Sequence, residues 1–267
     1  MGFRTTVAMR SEKGPVREKN EDCMGLLQSP DTRHGVDAVY VVADGLGGHE
    51  KGEVASAMAV ELLLGSYRRS EDADQEHLSS ASLEPSLVQV LHYISQVICD
   101  VGLTGESMHR NPQRPGMATT LTVAFLAGDS LYLGHVGDSR AYLLRRDMLT
   151  QLTEDHTVVA EQVRRGILRP EEARDYPSNV LTQAVGLEQP IAPFTTSLAL
   201  EEGDCLLLCS DGLHGFLDDQ AIARTIQKGG DLKAVDSLIA DAIAAGSTDN
   251  ITAMLVCFTS PESPTQD

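Results

Sequence analysis

The 267-residue chain contains no tryptophan, and aromatic residues make up only 4% of it. It is also poor in positive charge. Lys and Arg total 21 against 39 Asp and Glu, a formal net charge of −18. Such a surface repels nucleic-acid backbones and anionic bilayers, so neither is an expected partner. No uninterrupted apolar run approaches the ~18 residues of a membrane span, and MGFRTTVAMR at the start lacks the apolar core of a signal peptide. No membrane segment is therefore predicted, and a cytoplasmic location is expected. Cys23, Cys99, Cys205, Cys209 and Cys257 are an odd number without CxxC spacing, and the last three lie in apolar runs. They read as buried reduced thiols, not as a disulfide frame or a zinc site.

What is present is a substantial apolar fraction, 42%, enough for one large domain with a real core or two small ones. The stretch Ala38-Val39-Tyr40-Val41-Val42-Ala43 is a β-branched apolar run that reads as a buried strand, ending at Asp44 and followed by Gly45, Gly47 and Gly48. A carboxylate at a strand end, followed by glycines, can be presented in a cleft where backbone approaches a ligand. Further strands are predicted over 3–10, 24–27, 119–126, 131–136, 140–144, 149–152, 195–200, 204–209 and 251–258. Helical spacing marks 53–69, 86–100, 157–165, 221–227 and 232–245, with another helix starting at Pro170. Residues 70–85 are acidic and Ser-rich and read as a linker. Gly-Asp turns between neighbouring strands favour antiparallel hairpins. Paired helices and hairpin strands together predict an α+β layered domain.

Asn20-Glu21-Asp22, Asp44-Gly45, Ser210-Asp211-Gly212 and Asp249-Asn250 share one form, acidic residues at strand edges, and Gly137-Asp138-Ser139 sits at a hairpin turn. Each alone is an ordinary turn or cap. Converging without Lys or Arg they would repel one another unless a metal were present. Oxygen-only ligation suits Mg²⁺ or Mn²⁺, and there is no EF-hand spacing. Arg17 could bind a phosphate through its planar fork, or pair with Glu21 at the surface.

RxxxED at 17–22, ADGLGGHxxGExAS at 43–56, GMATT at 116–120, HVGDSRAY at 135–142, LTEDHT at 152–157, LLCSDGL at 207–213 and STDNIT at 247–252 occur in one order. In that order they resemble the PPM/PP2C protein serine/threonine phosphatases, over residues 4–258. The form DGLGGH and the compact length look like the bacterial branch. The resemblance implies a central β-sandwich of two antiparallel sheets flanked by helices, with metals in a cleft at one edge. It implies that Asp44, Asp211 and Asp249 hold a first Mn²⁺ or Mg²⁺, that Glu21, Asp44 and the Gly45 carbonyl hold a second, and that Asp138 and Asp211 hold a weaker third. Arg17 would bind phosphate, while Asp22 and Asn250 would orient ligands and waters.

A hydroxide bridging the two core metals would then attack phosphorus in line. Phosphorylated proteins would be the substrates, with a cognate Ser/Thr kinase and its targets as partners, and the protein would be a monomer. The domain would span 1–258 with a mobile flap at 154–180, followed by a disordered tail at 259–267. Two positions depart from the family pattern. Leu46 stands where many eukaryotic members have a His proposed as general acid, which leaves that role to a metal-bound water or to His49. Ala118 replaces a usual Gly. A non-catalytic phosphoprotein-binding member is the main alternative, and a sporulation-class regulator phosphatase of the same fold is a second.

Overall fold

The computed structural model describes residues 3–33, 35–46, 51–69, 78–104, 116–173, 176, 180–187 and 190–260. The predicted 38–44 strand forms as β3 (Ala38–Asp44), buried along its length until Asp44. It sits inside a five-stranded antiparallel sheet with β2 (Asp22–Gln28) on one side and β4 (Leu121–Ala127), β5 (Ser130–Val136) and β8 (Phe194–Ala199) on the other. The second sheet runs β1 (Arg4–Glu12), β10 (Ile251–Thr259), β9 (Cys205–Cys209), β6 (Arg140–Arg145) and β7 (Met148–Gln151), also antiparallel.

Strand periodicity decides how the layers stack, because successive side chains point to opposite faces. Along β3, Tyr40 and Val42 face the second sheet and pack with Leu206, Leu208, Met254 and Val256. Val39, Val41 and Ala43 face the other way, into a core completed by α1 (Gly52–Tyr67) and α2 (Ser80–Thr104). The outer face of the second sheet packs on α4 (Asp211–His214) and α5 (Asp219–Ala244). Both faces of each sheet are thus covered, giving helix, sheet, sheet, helix in four layers, as expected. The short α3 (Val158–Arg164) lies in the predicted flap.

Several local expectations need correction. Helix α2 begins within the predicted linker, because Leu83 continues the buried stripe Leu87, Leu91, Ile94 and Ile98; residues 70–77 of that linker lie outside the described residues. The two helices predicted at 221–227 and 232–245 are one helix, α5, whose buried face runs from Ile222 and Ile226 to Val235, Leu238 and Ile239. Cys205 and Cys257 are not reduced thiols but form a disulfide. They are register partners on neighbouring strands β9 and β10, which their separation of 52 residues conceals. Cys23, Cys99 and Cys209 are free. Ala81–Leu103 of α2 is long and apolar enough to cross a membrane by length and composition alone; here its apolar stripe packs on the first sheet. The tail beyond residue 260 lies outside the described residues.

Candidate active site

The ends of several strands deliver carboxylates to one edge of the sandwich. Asp22 opens β2 and Asp44 closes β3, and they are register partners. Asp211 follows β9 at the start of α4, and Asp249 precedes β10, the strand paired with β9. Asp138 sits in the turn between β5 and β6. That turn requires glycine before it: Gly137 has φ +116°, and a Cβ there would come within 2.6 Å of the Thr120 side chain. A Cβ on Gly45 would meet the Gly52 carbonyl at 2.3 Å, so glycine lets α1 start against the end of β3.

Backbone and hydroxyl bonds fix these groups. The Asp44 N–H donates to Thr120 Oγ1 at 2.9 Å, while the Thr119 hydroxyl and the Thr120 N–H donate to the Asp44 carbonyl. Gly45 N–H donates to the Glu21 carbonyl at 3.0 Å. Asn250 acts as a clamp. Its Oδ1 accepts from the Glu21 N–H, and its Nδ2 donates to the Lys13 and Lys19 carbonyls, each at 2.8 Å. The Ser210 hydroxyl donates to Asp22 Oδ2 at 2.8 Å, and Asp22 Oδ1 is buried without a hydrogen-bond partner among the described residues. Arg17 Nη2 donates to Asp249 Oδ2 at 2.6 Å.

Electrostatics sets this floor apart. Burial, and then the charges of Asp22, Asp211, Asp138 and Asp249, hold the Asp44 carboxyl well above its ordinary range. Asp211 is raised by burial and by Asp249. Asp138 is pushed up to about 7, by burial and then by Asp211 and Asp155. Asp22 rises to about 6, chiefly by burial, and Glu21 is raised by burial and by Glu53. Among the described residues, no three or more His, Cys, Asp or Glu side chains already stand as a ligand shell. Arg17 holds Asp249, and Asp44 lies within hydrogen-bonding reach of Asp22 and Asp211. The donor set nevertheless fits a hard divalent cation. It is all oxygen, it carries a buried carboxylate oxygen with no hydrogen-bond partner among the described residues, and its acids are raised by burial and then by one another's charge.

A cleft of about 560 Å³ opens over part of this floor, lined by Asp138, Asp211 and Asp249 and also by Val159, Tyr176 and Phe216. Glu21 and Asp44 are not in its lining. A larger open groove, about 770 Å³, runs along α2 and β8. Its acid, Glu84, accepts from the Thr195 hydroxyl at 2.6 Å, and no cluster of acids faces it among the described residues, so the chemistry lies at the first cleft.

The predicted flap docks on the Asp138 turn. His156 N–H donates to the Gly137 carbonyl at 2.7 Å, and the Gly137 N–H donates to His156 Nδ1 at 3.1 Å. Asp155 receives a two-pronged bond from Arg140, Nε to Oδ1 at 2.9 Å and Nη2 to Oδ2 at 2.6 Å. Burial pushes the Asp155 carboxyl up, but Arg140 outweighs it and holds the group below its usual value.

Sequence reasoning brought Arg17, Glu21, Asp22, Asp44, Gly45, Asp138, Asp211, Asp249 and Asn250 to this edge, and the structure gathers them there. His49 lies outside the described residues. It missed His214, whose Nε2–H donates to the Asp138 carbonyl at 2.9 Å and ties α4 to the β5–β6 turn. Burial lowers the His214 pKa to about 3, so the ring is neutral. The available signal was its place three residues after Asp211.

The protein phosphatase 2C profile matches residues 20–238. A serine/threonine phosphatase named stp from Listeria innocua is 36% identical over 250 residues, covering 92% of this chain and 93% of that relative. The solved serine/threonine phosphatase of S. agalactiae superposes with a TM-score of 0.82 at 29% identity, covering 95% of this chain and 99% of that one. The catalytic domain of the phosphatase PstP, solved with two manganese ions, gives 0.76 at 32% identity, covering 96% and 99%. The chain belongs to the protein phosphatase 2C family. It is a metal-dependent protein serine/threonine phosphatase acting on phosphoproteins, and the non-catalytic alternative is not favoured.

Proposed function

We propose that Asp44, Asp211 and Asp249 hold one divalent ion, that Glu21, Asp44 and the Gly45 carbonyl hold a second, and that Asp138 with Asp211 holds a weaker third. The observation that carries this reading is the convergence of buried acids from separate chain segments, with Arg17 on Asp249 the ion pair that the described residues make to the proposed ligands. Mn²⁺ or Mg²⁺ suits the oxygen donors. When bound, the ions supply Lewis acidity toward the phosphoryl oxygens and the attacking water.

The chain's own residues do the rest. Arg17 exchanges Asp249 for two phosphate oxygens, which its fork matches. Asn250 holds the Glu21 backbone in register, and Ser210 fixes Asp22 so that its free oxygen orients water. Asp138 serves the departure of the Ser or Thr oxygen, which needs a proton in a way that p-nitrophenolate does not. We further propose that residues 1–258 act as one domain with a flap at 154–180, of which 174, 175 and 177–179 lie outside the described residues, in a cytoplasmic monomer. A cognate Ser/Thr kinase and its targets are the proposed substrates. The net charge of −18 supports a role away from nucleic acid and membranes.

Calorimetric titration with Mn²⁺, alongside turnover, tests the assignment. Metal-stripped protein should be inactive and should regain activity with Mn²⁺, binding two ions tightly and one weakly. Asp138→Ala should lose only the weak ion, and should lose more activity on a phosphopeptide than on p-nitrophenyl phosphate. Full turnover after stripping, or loss of a tight ion in Asp138→Ala, contradicts it.

A further inference from the structure

Beside its acids the cleft is lined by the apolar residues Val159, Ala160, Ala173, Tyr176 and Phe216, and nothing in the chemistry of phosphate requires them. The chain has only eleven Tyr and Phe residues to spend, and five of them, Tyr40, Tyr67, Tyr142, Phe125 and Phe258, are fully buried. Tyr176 and Phe216 instead remain 49% and 38% exposed, and both line this cleft. A single exposed apolar residue needs no explanation. These two come from different parts of the chain, the flap and the exit of α4, and they line the same cleft as Val159 and Ala160.

Neither ring stacks on another aromatic ring among the described residues. Phe216 is moreover presented from a firm base. Leu213 and Leu217 on either side of it are buried, and the Gly215, Phe216 and Leu217 N–H groups bond back to Asp211 and Leu213. The turn that carries Asp211 into the floor therefore also fixes Phe216 at the rim.

We infer that Val159, Tyr176 and Phe216 form a subsite for a bulky apolar side chain close in sequence to the phosphorylated Ser or Thr of the substrate. The inference rests on the phosphate sitting at the carboxylate floor. A protein substrate must continue beyond its phosphate, and the cleft offers that continuation Val159, Ala160, Ala173, Tyr176 and Phe216, in a lining that also holds Arg140, Asp155 and Thr157. Covering Phe216 and Tyr176 with a substrate side chain removes apolar surface from water on both partners, which favours binding of that side chain over a polar one. The preference belongs to binding, since the wall is distant in role from the transferring group, and it falls mainly on KM.

The test uses phosphopeptides that differ at one position, Leu, Phe, Ser or Lys, placed in turn at each of about three residues either side of the phosphoserine, with p-nitrophenyl phosphate as a reference lacking any flank. Wild-type protein with Mn²⁺ should favour Leu or Phe at one or more positions by roughly tenfold in kcat/KM. Phe216→Ala should erase most of that preference through KM, Phe216→Leu should retain it, and Tyr176→Ala should weaken it. The ratio of Leu to Ser peptide is the readout, so a general loss of folding or activity does not imitate the result. Equal rates across the series, a preference for Lys, or a Phe216→Ala protein that keeps the wild-type ratio overturns the subsite. If wild-type protein fails to hydrolyse even p-nitrophenyl phosphate with Mn²⁺, the placement of phosphate at the floor fails instead.

Discussion

Asp138 is buried and Asp155 half-buried in the lining of the same cleft, yet their carboxyls are held in opposite senses. Asp155 faces Arg140 through a two-pronged bond and accepts a third from Gln151 Nε2 at 3.0 Å. Asp138 faces Asp211 instead, and its pKa climbs to about 7. The same contrast extends to the surroundings: Asp44 and Asp211 share Asp138's condition, and none of the three has a cation bonded to it among the described residues. A buried acid that brings its own arginine is complete within the chain and serves the fold. A group of buried acids without one is destabilising until something positive arrives. Charge pairing separates Asp155 from Asp44, Asp138 and Asp211; Asp249, held by Arg17 yet assigned to the first ion, is the exception, and its arginine is the one proposed to move to phosphate.

Breaking the unpaired set should produce the largest effect on activity. Asp44→Asn removes a carboxylate that the proposed first and second ions share. Turnover should fall by more than the roughly 10–100-fold typical of losing a partner that only orients a metal ligand. Near wild-type turnover from folded Asp44→Asn protein would remove Asp44 from the site. Breaking the paired set should instead act on stability. Asp155→Asn strands the Arg140 guanidinium, which is 24% exposed, and should cost about 3 kcal/mol in a denaturant titration. Saturating Mn²⁺ should stabilise this variant as much as it does wild type and should not close the gap between them. A variant as stable as wild type would mean the pair contributes little.

The parts of this arrangement that were legible in the sequence have a common physical origin. Asp44 and Asp211 each end an apolar run, and strand ends are readable because the apolar run is. The layered fold followed for the same reason, with Gly128-Asp129 marking the β4–β5 hairpin; the Gly137-Asp138 turn, expected to close a hairpin, instead carries the chain from β5 in one sheet to β6 in the other. What was hidden depended on partners far away in the chain. His214 bonds to a backbone carbonyl 76 residues distant, which no side-chain pattern announces. The Cys205–Cys257 disulfide follows from the β9–β10 register. The start of α2 was masked by its Ser-rich composition, and the continuity of α5 by Gly229-Gly230, where packing of the apolar stripe overrides local propensity. Asp155 was passed over because nothing local distinguishes a paired acid from an unpaired one.

The contrast has a direct thermodynamic consequence. Carboxyls raised in the folded state above their unfolded value of 3.8, as Asp138 is to about 7 and Asp22 to about 6, bind protons that the unfolded chain releases. Their contribution is fully present below the unfolded pKa and is lost as pH rises through the folded one, between about 4 and 7. His135 and His214, lowered to about 3 by burial, act in the opposite sense below pH 6.5, so the difference between two proteins that both carry them is the informative quantity. The measurement is the Tm of metal-free wild type and Asp44→Asn across pH 5 to 8, repeated with saturating Mn²⁺. Without metal, Asp44→Asn should melt higher than wild type at pH 7.5, by several degrees for about 1–2 kcal/mol of relieved repulsion, and the gap should narrow toward pH 5. With Mn²⁺ the order should reverse, because wild type gains the binding free energy of the ions. A metal-free wild type that already melts above Asp44→Asn at pH 7.5 would contradict the account, since Asp44 would then have its countercharge within the chain.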